Sequence, residues 1–302
     1  MMRVLTFGRE LWKFSRPHTI IGTTLSLGAL YVLALGYGGG SFRGVGLYLL
    51  SLSACLGANV FIVGLNQLTD IPIDRINKPG LPLASGAFSV TTGRVIIFVS
   101  LAVSVVLAAT LGRWLLLTVV LSLLLGTLYS LPPVRLKRFH FWAAFCIIAV
   151  RGLIVNPLLF LHFHDQLNGQ TALPPLVLLL TGTIFVYGII IAWFKDLPDM
   201  EGDQAFAIHT LSLEVGARRV FRIGNGLLLA TFALLAAAPF VLEMRVSALI
   251  FTGLHVLLFG GLCLVIPRID LARQSSITRF YLTIWGFFFL EYIGFAVAGY
   301  LG

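Results

Sequence analysis

Charge is the scarcest commodity in this sequence. Of 302 residues, only 11% are Asp, Glu, Lys or Arg, where a soluble globular domain carries about 25%. Hydrophobic residues make up 58%, and the mean hydropathy is +0.98. So little polar surface cannot cover a water-exposed globule, and lipid must take its place. Cysteine is nearly absent as well. Cys55, Cys146 and Cys263 all lie inside apolar runs with no even, spaced framework, which argues against both a disulfide scaffold and a zinc site. A cleavable signal is not expected either. Arg3, Arg9, Lys13 and Arg16 lead straight into a long apolar run without a small-residue cleavage site. No transit-like extension precedes them, which suggests a prokaryotic or already mature protein. No low-complexity tract, linker, soluble domain or internal repeat interrupts the sequence, so one transmembrane unit over 1–302 is expected.

What is abundant is apolar sequence in lengths that cross a bilayer. A helix needs about 20 apolar residues to span roughly 30 Å of hydrocarbon. Nine segments qualify: 17–35, 46–67, 93–111, 114–131, 140–161, 173–194, 221–241, 246–266 and 281–300. The expected architecture is therefore all-α, a polytopic membrane bundle of about nine helices. Gly112 and Arg113 alone separate the third span from the fourth, which implies a tight hairpin. Of the 21 Lys and Arg, 17 fall in the N-terminal segment and the loops after even-numbered spans, and three (Arg43, Arg113, Arg245) fall on the other side. That asymmetry places the N-terminus and the even-numbered loops in the cytoplasm. It also accounts for most of the net charge of +9, so nucleic acid is not an expected partner.

The protein has 12 acidic residues, so their clustering carries information. Six fall in two stretches, Asn66-Gln67-Leu68-Thr69-Asp70-Ile71-Pro72-Ile73-Asp74 and Lys195-Asp196-Leu197-Pro198-Asp199-Met200-Glu201-Gly202-Asp203. These follow spans two and six, on the same expected side. Positions 66, 70 and 74 step by four, and 196, 199 and 203 by three and four. Each set would share one face of a continued helix, although Pro72 disturbs the first. Two facing carboxylate clusters repel unless a cation lies between them. Mg²⁺ suits the role, because it takes hard oxygen ligands and bridges carboxylates to substrate phosphates. Arg75, Lys78, Arg135, Lys137, Arg138 and Lys195 are close enough in sequence to neutralise remaining phosphate oxygens.

These segments resemble a known family. Asn66 to Asp74 resembles the NxxxDxxxD motif of the UbiA superfamily of intramembrane prenyltransferases, and Asp199 to Asp203 resembles its second, DxxxD-type motif. FSRPHTIIGTTLS (14–26), GLNQLTDIPIDRINKPGLPLASG (64–86), YSLPPVRLKRF (129–139), VRGLIVN (150–156) and FKDLPDMEGD (194–203) narrow the likeness to homogentisate prenyltransferases, the phytyl-transferring members above all. The resemblance runs from about residue 12 to the final helix. It implies a lipid-accessible chamber inside the bundle, capped on the cytoplasmic side by loops that carry the active site. It implies Asn66, Asp70 and Asp74 for one Mg²⁺ and Asp196, Asp199 and Asp203 for a second, with Asp70, Asp74, Asp199 and Asp203 at the centre of catalysis. Lys137 and Lys195, with Arg75 and Arg135, would meet the diphosphate. The implied substrates are a prenyl diphosphate and homogentisate, joined with loss of CO₂; no obligate protein partner is implied.

The remaining polar residues leave alternatives open. Arg151 is the one basic residue deep in a span, where charge is costly and usually functional. Either it binds an acceptor carboxylate, directly or through Asn156, or it pairs with a helix-end carbonyl or another side chain. Arg16 and His18, at the entry to span one, are acceptor candidates or interfacial anchors. Tyr129 is placed to hydrogen-bond a diphosphate or to sit in the interfacial aromatic belt. His162, His164 and Asp165 read as a solvated loop on the far side rather than a metal site. Glu291, inside span nine, either carries a proton or pairs with a basic residue, and structural pairing is the default reading. A transporter would place its ionisable groups near the midplane at broken helices, not at helix ends on one side. Nine apolar spans exclude a soluble polyprenyl synthase.

Overall fold

The computed structural model describes residues 2–197, Met200 and 211–302, and every regular element among them is helical. A short helix, α1 (Met2–Phe14), precedes the first span, α2 (Pro17–Tyr37). Next come α3 (Val45–Thr69), the short α4 (Ile71–Asn77) and α5 (Pro82–Ser85), α6 (Val90–Leu111) and α7 (Arg113–Ser130). The fifth span is composite: α8 (His140–Ile148), a π-helical turn (Ala149–Ile154) and α9 (Val155–Asn168). It is followed by α10 (Pro175–Lys195), α11 (Leu211–Val215), α12 (Ala217–Val241), α13 (Ala248–Val265) and α14 (Gln274–Tyr300). Among the described residues, nine helical segments are long and apolar enough to cross a membrane, in agreement with the nine spans read from the sequence.

Local chemistry sets the element ends. Pro17 and Pro175 open α2 and α10 within the first turn, where a missing N–H leaves no bond unmade. Ser89 caps α6 by accepting the Thr92 N–H at 3.0 Å. Gly169, with φ 66°, closes α9 in the left-handed conformation that glycine adopts without cost.

The spans form a closed ring in which α14 packs back against α2. Small residues let backbones approach, as is usual between membrane helices. A Cβ on Gly57 would lie 2.9 Å from the Ser100 carbonyl, and Ser104 Oγ donates to the Ala54 carbonyl at 2.7 Å, which draws α3 and α6 together. Polar pairs lock other helices. Glu291 on α14 is fully buried and lies 3.0 Å from His255 Nε2 on α13, with Tyr187 of α10 donating to its other oxygen at 3.5 Å. The expected structural pairing of Glu291 is what the fold contains.

The far end of the bundle corrects one expectation. His162 and His164 are not in a solvated loop, because α9 runs on to Asn168 and buries both. His162 shares a 2.8 Å hydrogen bond with Ser51 of α3, and His164 shares one of 2.8 Å with Asn168. The mixed polarity of 162–168 ends the apolar run while the helix continues.

Candidate active site

The first acidic motif sits at a break between two helices. Span α3 ends at Thr69, Asp70 leaves helical geometry (φ −114°, ψ 13°), and α4 restarts at Ile71 with Pro72 in its first turn. Proline is tolerated there because that turn's N–H groups have no intrahelical acceptor. One backbone bond bridges the break, from Asp74 N–H to the Asp70 carbonyl at 2.7 Å. Asn66, Asp70 and Asp74 therefore keep their one-turn spacing while the backbone changes direction between them.

Cations from distant parts of the sequence converge on this step. Arg135 Nη2 lies 2.8 Å from Asp70 Oδ1, and Lys137 Nζ lies 2.5 Å from Asp70 Oδ2. Asn66 Nδ2 donates to Asp70 Oδ2 at 3.1 Å, while Asn66 Oδ1 accepts from Arg16 Nη2 at 3.0 Å. Lys137 also donates to Thr69 Oγ1 at 3.1 Å. Arg16 and Arg135 are the two non-glycine residues, among those described, with positive φ (53° and 39°). Strain of this kind persists only where the surroundings enforce it, and it clusters at functional sites.

Asp74 differs from Asp70. It is buried, and its Oδ2 has no hydrogen-bond partner among the described residues. Burial pushes its pKa up, with the Asp70 charge adding to the rise and Arg16, Lys78 and Lys137 opposing it. Burial likewise pulls the Lys137 ammonium down, against the hydrogen bond and charge of Asp70. An unpartnered, buried carboxylate oxygen beside two further oxygen-bearing side chains is the donor chemistry a hard divalent cation takes. The residues present thus fit Mg²⁺ at the first motif. In the second motif, Asp196 is buried with Lys195 Nζ 3.9 Å away; Asp199 and Asp203 lie outside the described residues.

Below the acidic step, a cavity of about 1050 Å³ descends into the bundle. Among the described residues, Arg16, Lys78, Arg135, Lys137, Arg138, Arg151 and Lys195 line it, against Asp70 and Asp74 alone. Seven cations facing two carboxylates call for an anion carrying several charges. Deeper in, Ile62, Val119, Leu125, Val155 and Leu159 give apolar walls. One chamber therefore joins a polyanion mouth to an apolar interior.

The family model for UbiA prenyltransferases matches residues 24–290. The protein belongs to the UbiA prenyltransferase family. It is 46% identical over 302 residues to a homogentisate phytyltransferase of Synechocystis sp., covering 97% of this chain and 96% of that protein. It is 39% identical over 295 residues to homogentisate phytyltransferase 1 of Arabidopsis thaliana, covering 93% and 73%. Other relatives are homogentisate geranylgeranyl- and solanesyltransferases. Among solved structures, a UbiA homologue from Archaeoglobus fulgidus bound to GPP and Mg²⁺ shares the fold, with TM-score 0.62, 19% identity, and coverage of 96% of this chain and 100% of that one.

Within this UbiA chamber, twelve of the substrate and metal candidates read from sequence line one cavity: Arg16, His18, Asn66, Asp70, Asp74, Lys78, Tyr129, Arg135, Lys137, Arg138, Arg151 and Lys195. Three described ones do not. Arg75 is exposed on α4 and is not among the lining residues. Asp196 is buried and is not among the lining residues. Asn156 is fully buried, so its amide supports the wall without touching the chamber. Its Nδ2 donates to the Arg151 and Gly152 carbonyls at 3.1 and 3.2 Å, and its Oδ1 accepts from Tyr292 at 2.8 Å. Those carbonyls belong to the π turn, whose widened geometry frees backbone acceptors and often marks functional sites.

Sequence reasoning missed the aromatic wall. Tyr281, Trp285, Phe288 and Tyr292 of α14 all line the cavity. Their spacing of four, three and four follows the helical period, a signal hidden among 24 Phe, 8 Tyr and 5 Trp. The Arg151 guanidinium lies 5.5 Å from the Trp285 ring centroid, within cation–π range. Among the described residues, no carboxylate lies within ion-pair distance of it.

Proposed function

We propose that this protein transfers a phytyl group from its diphosphate to homogentisate, with loss of CO₂, as one catalytic unit spanning residues 1–302. The observation that carries the reading is the Asn66–Asp70–Asp74 step, ringed by cations at the mouth of a chamber with an apolar depth. The likeness to homogentisate phytyltransferases, at up to 46% identity over nearly the whole sequence, supports this acceptor and donor over others.

Asn66, Asp70 and Asp74 would hold one Mg²⁺, and Asp196, Asp199 and Asp203 a second. When bound, the metal neutralises diphosphate charge and makes it a better leaving group. The protein's own groups do the rest. Lys137, Arg135, Lys78 and Lys195 bind diphosphate oxygens, and Tyr129 offers a hydroxyl from the chamber wall. Arg135 and Lys137 are paired with Asp70, which keeps two cations at the mouth. The apolar walls hold the prenyl tail and exclude water, which would otherwise capture an allylic cation. Trp285 and Phe288 line the chamber, where aromatic rings would stabilise that cation. Arg151 holds the acceptor carboxylate, with His18 beside it against the same Trp285 ring and Arg16 in the same chamber.

In the reaction, the allylic C–O bond breaks and its electron pair leaves with diphosphate. A ring carbon of homogentisate forms the new C–C bond and releases its proton. The bond between the acetate methylene and its carboxylate breaks to give CO₂, and the remaining CH₂ takes up a proton, leaving a 2-methyl-6-phytyl-benzoquinol with no net proton change. The basic asymmetry of the loops supports a cytoplasmic mouth.

The test uses purified protein in nanodiscs with Mg²⁺, labelled homogentisate, and phytyl, geranylgeranyl or solanesyl diphosphate. Labelled lipid from wild type, lost in Asp70→Ala and Asp199→Ala, is the expected result. No product from any donor would overturn the acceptor, and full activity in both variants would overturn the metal sites.

A further inference from the structure

We infer that His18 is the general base of the reaction: its imidazole takes the proton of the acceptor hydroxyl next to the acetate arm, which makes the neighbouring ring carbon the nucleophile. This rests on the proposed acceptor and on Arg151 as the anchor of its carboxylate. It assigns a proton transfer that neither of them supplies.

A phenol ring attacks an allylic carbon more readily as its phenolate, so the chamber needs a group that accepts a proton near neutral pH. Among the described lining residues, the side chains whose ordinary pKa leaves them free to do so are Asp70, Asp74 and His18. Asp70 is committed to Arg135 and Lys137, and Asp74 stands one turn on in the same acidic step. The ring nitrogens of His18 are unclaimed. His162 bonds Ser51, His164 bonds Asn168 and His255 bonds Glu291. Among the described residues His18 has no hydrogen-bond partner, and it meets Trp285 edge-on with ring centroids 6.3 Å apart.

Helix α2 fixes where this base stands. His18 and Gly22 lie one turn apart on it, and both line the chamber. A Cβ on Gly22 would lie 3.4 Å from Arg151 Nη1, so the guanidinium reaches α2 at that level. His18 is about 6 Å further along the helix towards Arg16 and the mouth. It touches the same Trp285 ring over which Arg151 lies at 5.5 Å. The charges that act on it are those of Arg151, Arg16 and Lys78. His18 is therefore within reach of both the acceptor's anchor and the cations at the diphosphate mouth.

The product decides which hydroxyl matters. In a 2-methyl-6-phytyl-benzoquinol, one hydroxyl lies between the methyl left by the acetate arm and the new phytyl group. That hydroxyl is ortho both to the arm that Arg151 holds and to the carbon that attacks. With the carboxylate on Arg151, a base one turn nearer the mouth is placed to take its proton. An imidazole nitrogen accepts that proton as the ring carbon bonds to the allylic carbon and the C–O electron pair leaves with diphosphate. The ring carbon then releases its own proton to the departing diphosphate. The imidazolium returns the first proton to the oxygen, and the ring is aromatic again.

The experiment uses full-length protein in nanodiscs with Mg²⁺, phytyl diphosphate and homogentisate, and compares wild type with His18→Gln and His18→Ala. Glutamine keeps a hydrogen-bonding side chain but is no base, so kcat should fall about 100-fold while the KM for homogentisate stays within about threefold. Imidazole added to His18→Ala should restore turnover, and substituted imidazoles should do so better as their basicity rises. That rescue is a ratio within one variant, so it does not depend on how much of the variant folds. An acceptor methylated on the hydroxyl beside the acetate arm has no such proton to give, and wild type and His18→Gln should turn it over at equal rates. Product from wild type with an unchanged kcat in His18→Gln, a loss confined to KM, or a rescue indifferent to basicity would overturn the inference and leave the acceptor standing. No product from wild type would overturn the acceptor, and the inference with it.

Discussion

Replacing Arg151 with glutamine should weaken the acceptor and leave the donor alone. The guanidinium lines the chamber, stands over Trp285 at 5.5 Å, and has no carboxylate within ion-pair distance among the described residues. A charge this far into a membrane protein is costly unless something meets it. If the acceptor's carboxylate does, the substitution removes a charged hydrogen bond worth about 1.5–3 kcal/mol. At about 1.36 kcal/mol per tenfold, the KM for homogentisate should rise about 10- to 150-fold. The contact with Trp285 contributes about 0.5–2 kcal/mol, but to the stability of the wall, and its loss should appear in the melting temperature. The assay is a cycle of four measurements, with wild type and Arg151→Gln each offered homogentisate and a ring analogue lacking the carboxyl group. Wild type should discriminate strongly between the two acceptors, and the variant hardly at all. An equal loss with both acceptors, or a matching rise in KM for the prenyl diphosphate, would refute the assignment.

Three further outcomes follow from the same geometry. Asp74→Asn removes a buried carboxylate with an unpartnered oxygen. Its pKa is raised on folding, so the ionised form costs stability at pH above both its folded and unfolded values; the variant should melt no lower than wild type at neutral pH, while Mg²⁺-dependent activity falls roughly 100-fold. The same rise means that protons compete with the cation at higher pH than for an ordinary aspartate, so activity should fall as pH drops and added Mg²⁺ should move that fall to lower pH; a pH profile indifferent to Mg²⁺ would contradict it. Tyr292→Phe strips the donor from Asn156 and loosens the π turn; it should cost about 1–3 kcal/mol of stability and raise the KM for homogentisate several-fold without changing that for the donor.

The sequence and the fold agree where the physics is local. Span count follows from the length of apolar runs, which depends on bilayer thickness alone, and the nine spanning segments among the described residues lie close to their expected bounds. The step of four through Asn66, Asp70 and Asp74 survives the break at Pro72 because α4 restarts within a residue. What was not legible depends on contacts between distant segments. Arg16 reaches Asn66 across fifty positions and Arg135 reaches Asp70 across sixty-five, and nothing in either local sequence announces the partner. His162 reads as loop because hydropathy falls after residue 161, although a histidine paired with Ser51 is at home in the interior. Arg151 is legible as the one basic residue deep in a span, but the π turn that carries it is not, because its period is not 3.6. The aromatic stripe of α14 is present in the spacing but drowned in a composition rich in Phe.

The pairing of Glu291 has a consequence for how the protein is assembled. It lies on the last helix, and both side chains that receive it, Tyr187 and His255, come earlier in the sequence. A carboxylate entering lipid alone would resist insertion. By the time α14 leaves the ribosome, α10 and α13 are already synthesised, with an acceptor for that charge between them. The final segment can therefore enter against its partners rather than against bare hydrocarbon, and the ring closes only when the pair has formed. Protein carrying His255→Leu should make the first eight spans normally and falter at the ninth.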